Sequence, residues 1–199
     1  ALLTGNWTHT VSFVGHNVPY QAMEVSRLIE SASAGVDPAR IARLVELLEV
    51  DTTWNLTTVS DGQRRRVQLF LGLLRPFEIL LLDEVTTALD VVVRQDLLMW
   101  LQKETETRGA TIVYATHIFD GLDEWPTHVH YLHYHGRTGW QGKLEENEHY
   151  MQLRAAGHPS PMLKVAEKWL RDEIAERKRL NEVREEAAGQ GAIDAKAGG

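Results

Sequence analysis

The 199-residue sequence contains no cysteine, which excludes a disulfide framework and any thiolate metal site. It also lacks a long hydrophobic run. The richest apolar stretches, Leu69–Leu74 and Ile79–Leu82, are short and closely flanked by charge, well under the ~20 residues a membrane helix needs. The opening ALLTGNWTHT has no basic region followed by an apolar stretch, so it does not read as a signal peptide. A basic excess is missing too: 21 Lys+Arg stand against 28 Asp+Glu, a net charge of -7. That balance argues against an electrostatic nucleic-acid binder. No internal repeat is visible. What is present is 43% hydrophobic residues, enough to build a real core.

Along the chain, VSFV at 11–14 reads as a short strand ended by Gly15 and a loop containing Pro19. Asp37 followed by Pro38 is an N-cap with proline at the first helical position. The apolar spacing of Ile41, Leu44, Val45, Leu47 and Leu48 then predicts a helix. Ser60 can cap another helix, from about Gly62 to Leu74, stopped by Pro76. EILLL at 78–82 is too short for a typical helix and fits a strand buried on both faces of a parallel sheet. A helix over 91–107 ends at Gly109, and TIVYAT at 111–116 reads as a second buried strand. Strand, helix, strand implies a parallel crossover. HVHYLHY at 128–134 reads as a further strand, and 136–142 as a turn region.

Beyond Pro159 and Pro161 the composition changes. Met162, Leu163, Ala166, Trp169, Leu170, Ile174 and Leu180 predict one apolar helical face among many charges. From Ala187 the chain is Gly/Ala-rich and reads as disordered. The helix over 169–180 reads as packed on its own domain with a solvated charged face. His128, His130, His133 and His135 split onto two faces of a strand with no acid or cysteine close by, so a structural role is expected over a metal site.

The chemistry concentrates in LLLDE at 80–84. An apolar strand ending in two acids places both at the C-terminal edge of a parallel sheet, where ligands bind in open α/β folds. Adjacent strand residues point in different directions. One carboxylate can therefore hold Mg²⁺, usually through water, while the other faces an attacking water. Upstream lies VSDGQRRRVQ, in which Ser60, Gly62 and Gln63 open a helix whose N-terminal amides and dipole suit a phosphate. Gly62 lets backbone approach closely. Downstream lie Asp90 in ALD and His117 in ATH at the end of the next strand.

In order and spacing these four segments resemble the signature, Walker B motif, D-loop and switch histidine of ATP-binding-cassette (ABC) ATPases, over roughly residues 10–145. The wording VSDGQRRRVQ, LGLLRPFEILLLDEVTTALDV and THIFDGLDEWPTH is similar to the soluble, non-transporter ABC ATPases of eukaryotes. That branch includes the plant soluble subfamily I and a yeast member found with the carbon-catabolite-repression deadenylase.

The resemblance implies an α/β fold, an ABC-type P-loop NTPase domain with a helical signature subdomain and a C-terminal helical extension. The expected layout is a partial ATPase domain over 1–145, its helical subdomain at about 20–75 and Walker B to switch histidine at 78–117. A helical extension would follow over 146–186, and a disordered tail over 187–199. The resemblance implies ATP and Mg²⁺ as ligands, Glu84 as general base, Asp83 on the Mg²⁺ shell, and His117 as a sensor of the γ-phosphate. It also implies that Ser60, Asp61, Gly62 and Gln63 reach the ATP of a second ABC cassette, with Asp90 supporting the dimer contact.

Asp61 departs from the family's usual Gly, so it points away from phosphate or the interface works with altered affinity. Val85 stands where the family usually has Pro. His16 falls where the Q-loop glutamine is expected, and Gln21 is an alternative.

No G-x-x-x-x-G-K-[ST] phosphate loop occurs in the sequence. The family places it before the Q-loop, which would put it ahead of Ala1. The expectation is an N-terminally truncated domain that, as given, binds ATP poorly. The branch implies a cytoplasmic or nuclear protein in a transcription or mRNA-decay regulatory complex, with no transmembrane segment and no direct nucleic-acid binding. The alternatives are an ATPase subunit energising a separate membrane transporter and a catalytically dead scaffold.

Overall fold

The computed structural model describes residues 11–14, 23–134 and 136–197. The chain divides into two compact units, with the boundary after Ile118. This lies earlier than the boundary near 145 expected from the sequence.

The first unit is built on three parallel strands in the order β1 (Val11–Val14), β2 (Ile79–Asp83), β3 (Thr111–Ala115). Between β1 and β2 run three helices, α1 (Val25–Ala32), α2 (Pro38–Leu47) and α3 (Asp61–Leu73). α4 (Val91–Arg108) links β2 to β3. Several of these helix ends have a local chemical cause. Asp37 accepts from Ala39 N at 3.0 Å to cap α2, with Pro38 at the first helical position. Gly109, at φ 66°, closes α4 in a left-handed cap, a conformation glycine adopts without steric penalty.

α1 has no side-chain cap and no sequence signature, and the sequence reading missed it. Its first amides are held by loop carbonyls instead, Val25 N to Trp54 O and Ser26 N to Thr52 O, both at 2.9 Å.

The core lies between one face of the sheet and the helices. Val14, Leu80 and Leu82 are buried there with Phe70, Leu73, Leu97 and Leu101. α3 sits so close to β1 that a Cβ on Gly72 would collide with the Val14 side chain, and Ser12 Oγ donates to Gly72 O at 2.6 Å. Arg40 on α2 ties the helices together. It donates to Leu73 O and Leu74 O, pairs with Glu104 of α4 at 3.1 Å, and lies 5.0 Å from the Trp100 ring centroid.

The opposite face of the sheet differs from the sequence reading. Phe13, Leu81 and Val113 are neighbours in register across the three strands, yet Phe13 is 64% and Val113 54% exposed. β2 and β3 alternate buried or half-buried positions with more open ones, so neither is buried on both faces. Their continuous apolar composition satisfies one covered face and leaves a second apolar face open.

The second unit holds an antiparallel hairpin, β4 (His128–Leu132) and β5 (Thr138–Lys143), followed by α5 (Glu148–Ala155) and α6 (Pro161–Ala197). β5 falls in the stretch read as a turn. Its glycines hid it, yet Gly139 is there because the Tyr131 ring lies against it, leaving no room for a Cβ. Leu144, Tyr150, Met162 and Val165 form the core, with Phe119, Val129, Leu153 and Trp169 packed against it. Trp169 stacks on Tyr131 and Trp140, at ring separations of 4.9 and 5.7 Å.

The buried face of α6 is therefore Met162, Val165, Ala166 and Trp169. Leu163, Leu170, Ile174 and Leu180, expected on it, are exposed. The outer face carries ion pairs at helical spacing, Lys164–Glu167, Glu167–Arg171 and Lys168–Asp172. The backbone stays helical through Ala197, whereas the composition from 187 suggests disorder; the alanines there are good helix formers despite Gly189 and Gly191. Among the described residues no helix is long and apolar enough to cross a membrane.

The hairpin histidines have local partners. His128 Nδ1 lies 3.1 Å from Thr127 Oγ1, His130 Nε2 2.9 Å from Thr138 Oγ1, and His133 Nε2 3.3 Å from Glu176 Oε2. His135 lies outside the described residues.

Candidate active site

The carboxyl edge of the parallel sheet in the first unit gathers the residues of the four motifs. β2 ends at Asp83, paired with Ala115 of β3. Glu84 follows in a left-handed conformation at φ 50°, and its amide donates to Ala115 O at 3.0 Å. This position costs a non-glycine residue on the order of 1–3 kcal/mol unless its surroundings fix it. Val85 and Thr86 enter the core, Thr86 Oγ1 meets Tyr114 Oη at 2.5 Å, and Thr87 Oγ1 donates to Glu84 O at 3.1 Å.

The turn carries the Glu84 side chain back towards the end of β3. His117 Nδ1 lies 2.7 Å from Glu84 Oε2. The imidazole is 72% exposed and the carboxylate 27% exposed, with Oε2 itself buried. The contact is at ion-pair distance, and this buried oxygen accepts no hydrogen bond among the described residues. A buried carboxylate oxygen with a spare lone pair can accept a proton from a bound water.

α3 begins beside this edge. Ser60 and Gln63 form a reciprocal capping box: Ser60 Oγ accepts from Gln63 N at 3.2 Å and Gln63 Oε1 accepts from Ser60 N at 2.9 Å. Both side chains are thus occupied with the helix start. Gly62 suits a close approach, since a Cβ would stand 3.0 Å from Ala88 O, tighter than most such contacts. Asp61 projects into solvent, its side chain 94% exposed, with Arg64 at 3.8 Å.

Asp90 caps α4, its Oδ1 accepting from Val92 N and Val93 N at 3.0 Å while Oδ2 pairs with Arg66 at 2.6 Å. Arg66 also reaches Glu49, again at 2.6 Å, linking the end of α2 to the start of α4. The Val93 amide above all, then the Val92 amide and Arg66, hold the Asp90 carboxyl below its usual range. A depressed folded-state pKa contributes stability above the ordinary Asp value of ~3.9, and that contribution is lost as pH falls through the folded value. Asp90→Ala is expected to cost about 1 kcal/mol at neutral pH. Thermal unfolding checks this: the gap from wild type should close as the pH is taken into the acid range below ~3.9.

The structure thus places Asp83, Glu84 and His117 together, and brings Gly62 against the Ala88 carbonyl of the segment that runs into Asp90. His16 and Gln21 lie outside the described residues. Sequence reasoning missed Arg65. Its guanidinium is buried on α3 and donates to three successive carbonyls: Nε to Val85 O at 3.2 Å, and one terminal nitrogen to Asp83 O at 3.3 Å and Glu84 O at 3.2 Å. Burial lowers its pKa from the ordinary value, and the Asp83 charge opposes that. A signal was available, because Arg65 occupies the same helical stripe as Leu69 and Leu73, both fully buried. A charge in an apolar stripe needs built partners.

The fold is similar to that of ATP-binding-cassette domains. Residues 48–123 match the family described as "AAA domain, putative AbiEii toxin, Type IV TA system". Homologues include ABC transporter I family member 20 of Arabidopsis thaliana, 46% identical over 90% of this chain and 53% of that protein. CCR4-associated factor 16 of Saccharomyces cerevisiae is 52% identical over 55% of this chain and 36% of its own. A dimeric bacterial ABC transporter cassette, MJ0796, superposes with a TM-score of 0.54 at 21% identity, over 68% of this chain and 63% of that one. The chain spans about half the length of the curated plant relatives it matches.

Proposed function

We propose that the full-length protein is an ATPase in which two cassettes close around ATP and reopen after hydrolysis. The observation that carries this reading is the buried Glu84 oxygen, which accepts no hydrogen bond among the described residues, held beside an exposed His117 at the carboxyl edge of the sheet. Glu84 orients a water and accepts its proton, and the left-handed turn aims the carboxylate. His117 keeps one ring nitrogen on Glu84 and offers the other to solvent, where a terminal phosphate can accept from it. Asp83, exposed at the strand end, suits Mg²⁺, held through water. When bound, the ion neutralises charge on the phosphates.

The start of α3 supplies backbone amides and the positive end of a helix dipole, which suit the phosphate of a nucleotide held by a facing cassette. The projection of Asp61 into solvent, with Arg64 at 3.8 Å, supports the alternative in which it points away from phosphate. Asp90, fixed by two amides and Arg66, keeps the neighbouring loop in one shape for a dimer contact.

We further propose a regulatory rather than a transport role, in the cytoplasm or nucleus. The name of the yeast homologue supports this, as does the high identity to it. The test is to purify the full-length protein and measure Mg²⁺-dependent ATP hydrolysis together with molecular mass in the presence of ATP. Turnover with ATP-dependent dimers is expected, and a protein that neither hydrolyses ATP nor dimerises sinks the reading. Recovery of the tagged protein with a polytopic membrane protein would overturn the regulatory role.

A further inference from the structure

Glu84 is a carboxylate on a left-handed backbone, and its aim depends on whatever holds the turn. Its own amide is fixed by Ala115 O, and its carbonyl is fixed from two sides, by Thr87 Oγ1 and by Arg65. Arg65 also takes the carbonyls before and after it, Asp83 O and Val85 O. One planar guanidinium thus spans three consecutive peptide units, and Arg65 as a whole is only 6% exposed. Its other terminal nitrogen donates to Gln68 Oε1 at 3.0 Å.

A strained backbone persists where its surroundings over-determine it. Here the chief external restraint is a side chain from α3, the same helix whose first turn carries Ser60, Gly62 and Gln63. We propose that Arg65 is a positioning residue: it fixes the 83–85 turn and so the aim of the Glu84 carboxylate, and it couples the start of α3 to that aim. This rests on the reading of Glu84 as the group that activates water.

The chemistry of the fork is specific. Guanidinium presents several donors in a rigid plane, whereas an ammonium on a flexible stem cannot bridge three carbonyls at once. Arg65→Lys keeps the charge and loses the bridge, and Arg65→Gln loses both. A misplacement of about 1 Å at a catalytic group can cost about 100-fold in rate. Arg65→Lys in the full-length protein should therefore lower kcat by about 10- to 100-fold with KM for ATP within about two-fold of wild type. Arg65→Gln should lower it at least as far.

The deciding measurement is single-turnover hydrolysis in the Glu84→Gln background. If Arg65 acts through Glu84, adding Arg65→Lys there changes the residual rate by less than about two-fold, because coupled residues are non-additive. An equal loss in both backgrounds, a wild-type kcat, or an effect confined to KM overturns the proposal. If neither variant folds, Arg65 is a framework residue and the proposal fails. If instead Glu84→Gln alone leaves turnover intact, it is the assignment of Glu84 that fails.

Discussion

Glu84→Gln in the full-length protein is expected to lower the rate of ATP hydrolysis by about 10²- to 10⁴-fold, the usual contribution of a positioned general base. The substitution is nearly isosteric, and the turn that carries Glu84 is held by its backbone, through Ala115 O, Thr87 and Arg65, so the fold should survive. Gln keeps the hydrogen-bonding reach and loses the ability to take a proton. If hydrolysis is what reopens the dimer, ATP then accumulates in the closed form, and the variant should elute as a dimer with ATP while wild type exchanges back to monomers. Steady turnover at the wild-type rate would remove Glu84 from the chemistry, whatever the dimer does. Loss of turnover without ATP-dependent dimers would keep the base and remove the coupling to closure.

Leu80→Ala is expected to cost about 2–5 kcal/mol. Leu80 is fully buried in β2, the central strand, with β1 and β3 on either side and the helices over it. A parallel strand hydrogen-bonded on both edges cannot shift to fill the space, so the cavity term is retained. At roughly 2–4 °C per kcal/mol for a protein of this size, the unfolding midpoint should drop by about 5–20 °C. The neighbouring residue supplies the control. Leu81 points to the opposite, half-open face, beside exposed Phe13 and Val113, so Leu81→Ala should cost clearly less. Equal losses at 80 and 81 in a thermal melt would mean that the second face is as well covered as the first.

Much of the first unit is legible because its signals are local. Asp37-Pro38, Ser60 and Gly109 each mark a helix end by chemistry that needs no tertiary context, and the structure puts a cap at every one. The acids after β2 and the histidine after β3 are legible for a related reason. A parallel sheet fixes its carboxyl edge, so strand ends in sequence become neighbours in space.

Other features depend on partners distant in sequence. α1 is started by the Trp54 and Thr52 carbonyls, which no local pattern announces. β5 is disguised by its glycines, and the reason for Gly139 is a ring on the facing strand. The apolar face of α6 was assigned from hydrophobicity alone, which groups Leu163, Leu170 and Ile174 with Met162. Contact with Tyr131, Trp140 and Tyr150 selects Met162, Val165 and Trp169 instead. Arg65 was hidden inside a known motif, where three successive arginines read as one block while the helix turns each towards a different partner.

The capping box at the start of α3 has a thermodynamic corollary. The Gln63 amide already has an acceptor in Ser60 Oγ, and Gln63 Oε1 is committed to Ser60 N. An anion that takes up that amide therefore performs an exchange, not an addition: it must displace a side-chain cap worth about 1 kcal/mol. That sets its apparent affinity roughly five-fold below what the bare helix end would give. Under the proposed function the helix start would have two interchangeable occupants, one of them its own serine, and the weaker hold would let the other leave.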